Sequence, residues 1–310
     1  MWLVAAAFPA AALAGGSPVA LVTAESANQV IAVSLPSGKV VRRVPVHNPE
    51  TIAAGTTGPA VVASPSGTVT ILAWRTLRTV AVLHGFDSPE LAAITPDGTW
   101  AYVTDAATGE LSAIALASHR VVDRVFVGRG AHHLAVAPDG HRTWVALGER
   151  ATTIVVLDTS HPDRLRVIGQ IHPPTLAHDL AVAPDGRTLW VTSDVASHVS
   201  VLDTRTGRLL GSVAAGPPPQ HVTFVPFGRP RAYVTSGYGS SIELVDAGTR
   251  AVVRRRAVPY GSFNLAASGG IVAVVSLLNG TVTELAGPTL SRLMTVELAP
   301  ATRDVAIAVW

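Results

Sequence analysis

The chain has 310 residues, of which 48% are apolar and 14% are charged, and its formal net charge at pH 7 is +2. So small a charge excess argues against nucleic acid as a partner, and the absence of cysteine excludes thiol nucleophiles, zinc–thiolate sites and disulfides. No stretch reaches the roughly 20 apolar residues that a transmembrane helix needs, so we predict no integral membrane segment.

The first residues are typical of an export signal. Trp2 to Leu13 is a short apolar stretch, and Ala12-Leu13-Ala14 offers the small residues of a cleavage site. We therefore predict a signal peptide over residues 1–14 and an extracytoplasmic location, whether secreted, periplasmic or on the cell surface. Because no Lys or Arg precedes Lys39, two alternatives stay open: a true start upstream, or a buried N-terminal strand.

A phrase of apolar residues followed by a turn recurs along the rest of the chain. Its clearest copies run from His132 to Gly140 and from His178 to Gly186, and both end in Leu-Ala-Val-Ala-Pro-Asp-Gly. Successive copies are separated by 40 to 46 residues, and they begin at Glu50, Glu90, His132, His178, Gln220, Phe263 and Arg303. This period, built from short strands and tight turns, predicts an all-β fold: a seven-bladed β-propeller of four-stranded antiparallel blades.

The order of the strands predicts how the ring closes. The chain begins at a second strand near Val19 and ends on a first strand, Asp304–Val309. We expect residues 19–46 and 304–310 to share one closing blade, which removes the open edges of the ring. Residues 15–310 are thus predicted to be one propeller domain, and we expect a monomer.

The repeat resembles the YVTN family of β-propeller proteins. The resemblance rests on three second strands, Tyr102-Val103-Thr104, Trp190-Val191-Thr192 and Tyr233-Val234-Thr235, together with the Pro-Asp-Gly turns and the segment Val201–Gly207. It covers residues 19–310 and is weakest in units two and seven, which lack the Pro-Asp-Gly turn. It implies a seven-bladed propeller, commonly extracytoplasmic. It implies no reaction, because relatives include binding proteins, lactonase-like enzymes and haem-binding propellers.

The residue that begins each copy of the phrase is expected at the rim of the central channel. All seven rim residues should lie on one face, whereas the Pro-Asp-Gly turns should lie on the other and serve structure alone. Loops between second and third strands open on the rim face. As ligand-binding candidates we select the three remaining rim residues and three loop residues: Gln220, Phe263, Arg303, Asp105, Asp194 and His198.

Four neighbouring rim residues are candidates for metal ligands, namely Glu50, Glu90, His132 and His178. Imidazoles and carboxylates together suit zinc, iron, manganese or copper, so a divalent metal ion is the one cofactor we consider. His133 adjoins His132, but alternation along a strand predicts that it points elsewhere, so it is a lesser candidate. The alternative is that these side chains are solvated or hold loops, with the carboxylates paired to Arg303.

We predict a non-catalytic scaffold whose rim binds an unidentified protein or small-molecule ligand. The alternative, from a different class, is a metal-assisted enzyme: a lactonase-like hydrolase, or a redox protein that uses the two rim histidines. Metal analysis of the purified protein separates the two hypotheses.

Overall fold

The computed structural model describes residues 16–225 and 230–310, which form 28 β-strands and one 3₁₀ turn at Glu25–Ala27. The predicted signal peptide, residues 1–14, lies outside the described residues. Within the described ranges, no helix is long and apolar enough to cross a membrane.

The strands form seven antiparallel sheets of four strands each, and we number these blades in chain order. Blade 1 contains β1 (Pro18–Ala24), β2 (Gln29–Ser34) and β3 (Val40–Pro45). Blade 2 contains β4 (Thr51–Ala54), β5 (Ala60–Ser64), β6 (Thr68–Leu72) and β7 (Thr79–Leu83). Blade 3 contains β8 (Pro89–Ile94), β9 (Trp100–Asp105), β10 (Glu110–Ala115) and β11 (Arg120–Phe126).

The remaining blades follow the same order. Blade 4 contains β12 (Ala131–Val136), β13 (Arg142–Leu147), β14 (Ile154–Asp158) and β15 (Arg166–Ile171). Blade 5 contains β16 (Leu180–Val182), β17 (Thr188–Val191), β18 (Val199–Asp203) and β19 (Leu209–Val213). Blade 6 contains β20 (His221–Val225), β21 (Arg231–Ser236), β22 (Ser241–Asp246) and β23 (Ala251–Ala257). Blade 7 contains β24 (Ser262–Ser268), β25 (Ile271–Ser276), β26 (Thr281–Ala286) and β27 (Ser291–Glu297).

The strand β28 (Thr302–Val309) closes the ring by joining blade 1 as its innermost strand. It pairs antiparallel with β1, from Pro18 opposite Val309 to Val22 opposite Val305. Each innermost strand contacts the innermost strands of both neighbouring blades, and the series continues from β24 through β28 to β4. The structure thus confirms the predicted seven-bladed propeller closed by the C-terminal strand.

Apolar side chains between adjacent blades hold the ring together. Trp144 of blade 4 packs with Leu189 and Val191 of blade 5, and Trp190 packs edge-on against Phe224 of blade 6. Both indoles are almost completely buried. Because large aromatic rings contribute most of the buried area in such contacts, these layers stabilise the ring and fix where its inner strands lie.

Candidate metal centre in the central channel

All seven predicted rim residues line one cavity of about 230 Å³ at the mouth of the channel. The residue after the rim residue also reaches this cavity in several blades, as Thr51, Leu91, His133, His221 and Asn264 do. Loops add Glu149, Asp194, Tyr238 and Leu277. The cavity therefore combines imidazoles, carboxylates, one guanidinium and aromatic rings.

Threonine hydroxyls hold the rim backbone from one blade to the next. Thr104 donates to the carbonyl of His132 at 2.6 Å, and Thr192 donates to that of Gln220 at 2.6 Å. Thr23 makes the same contact with Glu50 at 2.8 Å. Each hydroxyl satisfies a carbonyl of the following blade, so the last residue of a Tyr-Val-Thr strand sets where the next rim residue lies.

A β-bulge places two consecutive residues of the innermost strand opposite one residue of its partner in four blades. In blade 4, Ala131 lies opposite Leu147 and Leu134 lies opposite Val145, so His132 and His133 together face one residue of the partner strand. Blades 3, 7 and 1 have the same shift, at residues 90–91, 263–264 and 303–304. A bulge re-aims side chains in this way, and the His132 and His133 rings lie 4.5 Å apart, centroid to centroid.

His133, His178 and His221 form a cluster contributed by three neighbouring blades. One ring nitrogen from each lies within 4.8 Å of the other two. The His133 centroid is 4.7 Å from that of His178 and 5.3 Å from that of His221, and the last two are 5.1 Å apart. We call these three residues the histidine cluster.

Hydrogen bonds fix the orientation of the cluster. Nδ1 of His178 donates to the carbonyl of Glu149 at 3.0 Å, which leaves Nε2 as the nitrogen with a free lone pair. Nδ1 of His221 faces Oδ2 of Asp179 at 3.5 Å. The Nδ1 atoms of His132 and His133 are hydrogen-bonded at 2.9 Å, one as donor and the other as acceptor. Carboxylates and carbonyls behind imidazoles are the usual supports of histidine metal ligands.

Burial favours the neutral imidazole at His133 and His178. It lowers the pKa of His178, and the neighbouring His221 lowers it further. Burial also lowers the pKa of His133 well below its usual value, helped by the other histidines. Because a metal binds the neutral imidazole, these two side chains are ready for a cation at neutral pH without first losing protons.

Asp179 links blades 5 and 6 directly behind the cluster. Its Oδ2 accepts a hydrogen bond from the backbone N–H of Val222 at 2.9 Å and faces His221. Its own N–H donates to the hydroxyl of Thr192 at 2.9 Å. The carboxyl group is buried, so these contacts fix the separation of His178 and His221.

The two predicted carboxylate ligands, Glu50 and Glu90, lie beside Arg303 and His132 and not in the histidine cluster. Glu50 forms an ion pair with Arg303, which also contacts Glu25 at 3.3 Å. Burial nevertheless raises the pKa of Glu50 to about 7, because desolvation outweighs the nearby guanidinium and the carboxylate of Glu90 adds to the increase. Glu90 lies 3.6 Å from Nε2 of His132, and burial raises its pKa too.

The other predicted ligand-binding residues fall into two groups. Gln220, Phe263, Arg303 and Asp194 line the cavity. Asp105 is buried and accepts hydrogen bonds from four backbone N–H groups of nearby turns, at 2.7 to 3.2 Å, so its carboxylate organises loops. His198 lies outside the set of residues that line the cavity.

Sequence reasoning did not consider His221 and treated His133 as a lesser candidate. Both occupy the position after the rim residue, where strict alternation along a strand would turn the side chain away. The residue types at this position could have indicated the cluster. In five of the seven repeats the residue after the rim residue is His, Asp or Asn, namely His133, Asp179, His221, Asn264 and Asp304. Polar residues at one position of an otherwise apolar phrase indicate a surface that faces water or a ligand.

No protein-family model and no curated protein matches the sequence. Solved structures share the fold. A functionally unknown protein from Desulfotomaculum acetoxidans is 14% identical with a TM-score of 0.82, over 94% of this chain and 98% of that one. Apo AztD from Citrobacter koseri is 10% identical with a TM-score of 0.74, over 95% and 98%. Hydrazine synthase from Kuenenia stuttgartiensis is 17% identical with a TM-score of 0.70, over 83% and 88%. At these identities the likeness shows a common β-propeller fold alone.

Proposed function

We propose that this propeller binds a divalent transition-metal ion, zinc or a cation of similar chemistry, on His133, His178 and His221. The observation that carries the proposal is the convergence of three ring nitrogens, from three blades, to within 4.8 Å of one another. Imidazole suits zinc, copper, iron and nickel, and three histidines with an open position are a well-known zinc ligand set.

The distances suit a site that tightens around its ion. Bonds of about 2.0–2.1 Å in a tetrahedral zinc site place ligand nitrogens about 3.4 Å apart, so the cluster must contract by up to about 1.4 Å. Thr192 and Asp179 hold the backbones behind the cluster, so the side chains must supply this movement. The Nε2 atoms of His178 and His221, on the side of each ring away from the groups that Nδ1 faces, are the expected ligand atoms.

The charge of the cavity favours a cation. Glu90 and Glu149 line it together with the histidine cluster, whereas Asp194 is already paired with Arg150 at 2.8 Å. Among the described residues that line it, the one guanidinium is that of Arg303, which is paired with Glu25 and Glu50. A cavity with more carboxylates than free cationic groups concentrates metal ions and speeds their entry.

We also propose that the protein is exported and that it belongs to the YVTN family. Export through residues 1–14 is tested by fractionating cells that express the full chain, with the protein expected outside the cytoplasm. Membership of the YVTN family is supported by the Tyr-Val-Thr strands, whose threonines link the blades in the structure.

Metal titration of a variant series tests the donor set. We expect metal-stripped protein to bind one zinc or cobalt ion per chain. His178→Gln and His221→Gln should each lower affinity by more than about 100-fold, beyond the effect of losing an outer hydrogen-bond partner. His198→Gln, a histidine outside the cavity, is the matched control and should bind like the wild type.

Two results would contradict this assignment. The first is the absence of tight, stoichiometric binding to the wild type. The second is loss of binding in Glu50→Gln and Glu90→Gln but not in His221→Gln, which would transfer the site to the predicted set Glu50, Glu90, His132 and His178.

A metal-assisted hydrolase is the second candidate function. Glu90 favours it, because a buried carboxyl with a raised pKa beside an imidazole is suited to act as a general base on metal-activated water. Zinc-dependent hydrolysis of lactones that is abolished in Glu90→Gln, with zinc binding retained, would support it. Equal rates with and without metal would exclude it.

A further inference from the structure

Next to the histidine cluster, the cavity has an aromatic wall formed by Tyr238 and Phe263. Their rings meet edge to face, with centroids 5.1 Å apart and an interplanar angle of 73°. Tyr238 is 58% exposed, although it belongs to a short loop directly between two central strands. An exposed ring at a cavity mouth contributes little to folding, so it marks a surface available to a ligand.

The loop that carries Tyr238 is held in place by side chains of the same blade. Oε1 of Gln220 accepts from the N–H of Gly237 at 2.7 Å and from that of Tyr238 at 3.4 Å. The hydroxyl of Ser236 donates to the carbonyl of Pro217 and accepts from the N–H of Gly239, both at 3.1 Å. A tyrosine on so constrained a backbone loses little entropy when a ring stacks on it.

Phe263 is fixed by a close approach to the same loop. Its ring lies directly on Gly237, where a β-carbon would overlap the ring atoms. Only glycine leaves room for this contact. Because Gly237 directly precedes Tyr238, the Phe263 ring also helps to fix the position of Tyr238.

The size and charge of the cavity restrict what fits between the aromatic wall and a bound metal. Its volume of about 230 Å³ lies below the range of about 300–1,000 Å³ that is usual for ligand pockets, so it suits one small ring. The carboxylates of Glu90 and Glu149 disfavour an anionic ligand, whereas Asp194 is paired with Arg150, and Arg303 with Glu25 and Glu50. Three protein ligands leave the metal at least one open position.

We infer that this open position takes a small neutral heteroaromatic nitrogen donor, of the imidazole or benzimidazole class, whose ring stacks on Tyr238. The inference rests on the proposed metal site and identifies the ligand that would occupy the position left open by the three histidines. The exchange would balance: the metal–water bond breaks as the metal–nitrogen bond forms, the water leaves, and the ring replaces water on the exposed face of the tyrosine.

Comparison of two donors on the cobalt-loaded protein tests this inference. Imidazole and benzimidazole bind through the same type of nitrogen, but benzimidazole adds a fused ring that reaches further toward Tyr238. The affinity of each donor is measured from the change in the cobalt d–d absorption bands. For each protein variant we then compare the ratio of the benzimidazole affinity to the imidazole affinity. In Tyr238→Ala we expect the preference for benzimidazole to fall by about 2- to 12-fold, the value of one aromatic pair.

Tyr260→Ala is the matched control. Tyr260 is also about half exposed, and its ring lies 6.5 Å from that of Tyr238, but it does not line the cavity. An unchanged ratio in Tyr260→Ala and a reduced one in Tyr238→Ala support the inference. An unchanged ratio in Tyr238→Ala, or an equal fall in both variants, overturns it.

Cobalt loading is measured before any donor is added, which separates the two proposals. Absence of cobalt binding to the wild type overturns the metal site and this inference together. Normal loading of wild type and Tyr238→Ala with equal donor ratios overturns this inference alone.

Discussion

Replacing Thr192 with valine removes a hydroxyl that joins blades 5 and 6. Thr192 is completely buried, and its hydroxyl donates to Gln220 at 2.6 Å and accepts from Asp179 at 2.9 Å. Valine has nearly the same shape, so the change leaves one buried carbonyl and one buried N–H without this partner. At about 1–3 kcal/mol for each unsatisfied group, we expect the free energy of unfolding to fall by about 2–6 kcal/mol.

The same hydroxyl sets the separation of His178 and His221, so zinc affinity should fall as well, by roughly 10-fold. Thr23→Val is the matched control, because Thr23 donates to Glu50 at 2.8 Å and accepts from the N–H of Asp304 at 2.9 Å. It should cost similar stability and leave zinc affinity unchanged.

Urea unfolding of the metal-free variants and zinc competition with a chromophoric chelator measure the two effects. Our reasoning is refuted if Thr192→Val unfolds at the urea concentration of the wild type. It is refuted equally if Thr23→Val weakens zinc binding as much as Thr192→Val does.

Three further predictions concern charge, backbone and metal support. Burial raises the pKa of Glu50 from its usual 4.5 to about 7; the folded state therefore holds an extra proton between these values and loses stability as pH rises through 7. Glu50→Gln should remove this dependence, worth at most about 3 kcal/mol, in urea titrations at pH 5 and 8.5. Gly109 and Gly98 have similar positive φ, +73° and +72°, but a β-carbon at Gly109 would lie 2.7 Å from backbone atoms whereas one at Gly98 meets nothing within 4 Å. Gly109→Ala should therefore lower the melting temperature clearly more than Gly98→Ala; equal losses would contradict the steric argument. Asp179→Asn removes the carboxylate charge that faces Nδ1 of His221, so zinc affinity should fall about 10- to 100-fold in the same competition assay; unchanged affinity would remove Asp179 from the site.

The fold could be predicted from sequence because its determinants are local and repeated. Every copy of the phrase carries its own apolar strand, and most carry their own turn, so errors in one copy are corrected by the others. The closing blade followed from simple strand order, and β28 pairs with β1 as expected. The rim was predictable for the same reason, and all seven rim residues reach one cavity.

The histidine cluster was harder to predict because it depends on departures from the regular pattern. The bulge in β12 that turns His133 inward has no signature in a single sequence, since it arises from how two strands pair. His221 reaches the cavity from the start of β20, next to a rim residue whose own side chain is engaged with a loop. Distances across the ring, such as that between His133 and His221, are set by blade packing and are invisible in residue spacing.

The shared blade has a consequence for how the molecule assembles. Strands β4 to β27 each pair with strands that lie within about forty residues in the sequence. The pairing of β1 with β28 instead joins residues such as Pro18 and Val309, which are separated by nearly the whole sequence. Contacts between such distant residues form slowly, because a long loop must close first. We therefore expect the six other blades to form early and β28 to complete the ring last. Arg303 lies on this strand, so the part of the channel mouth that it lines forms only when the ring closes.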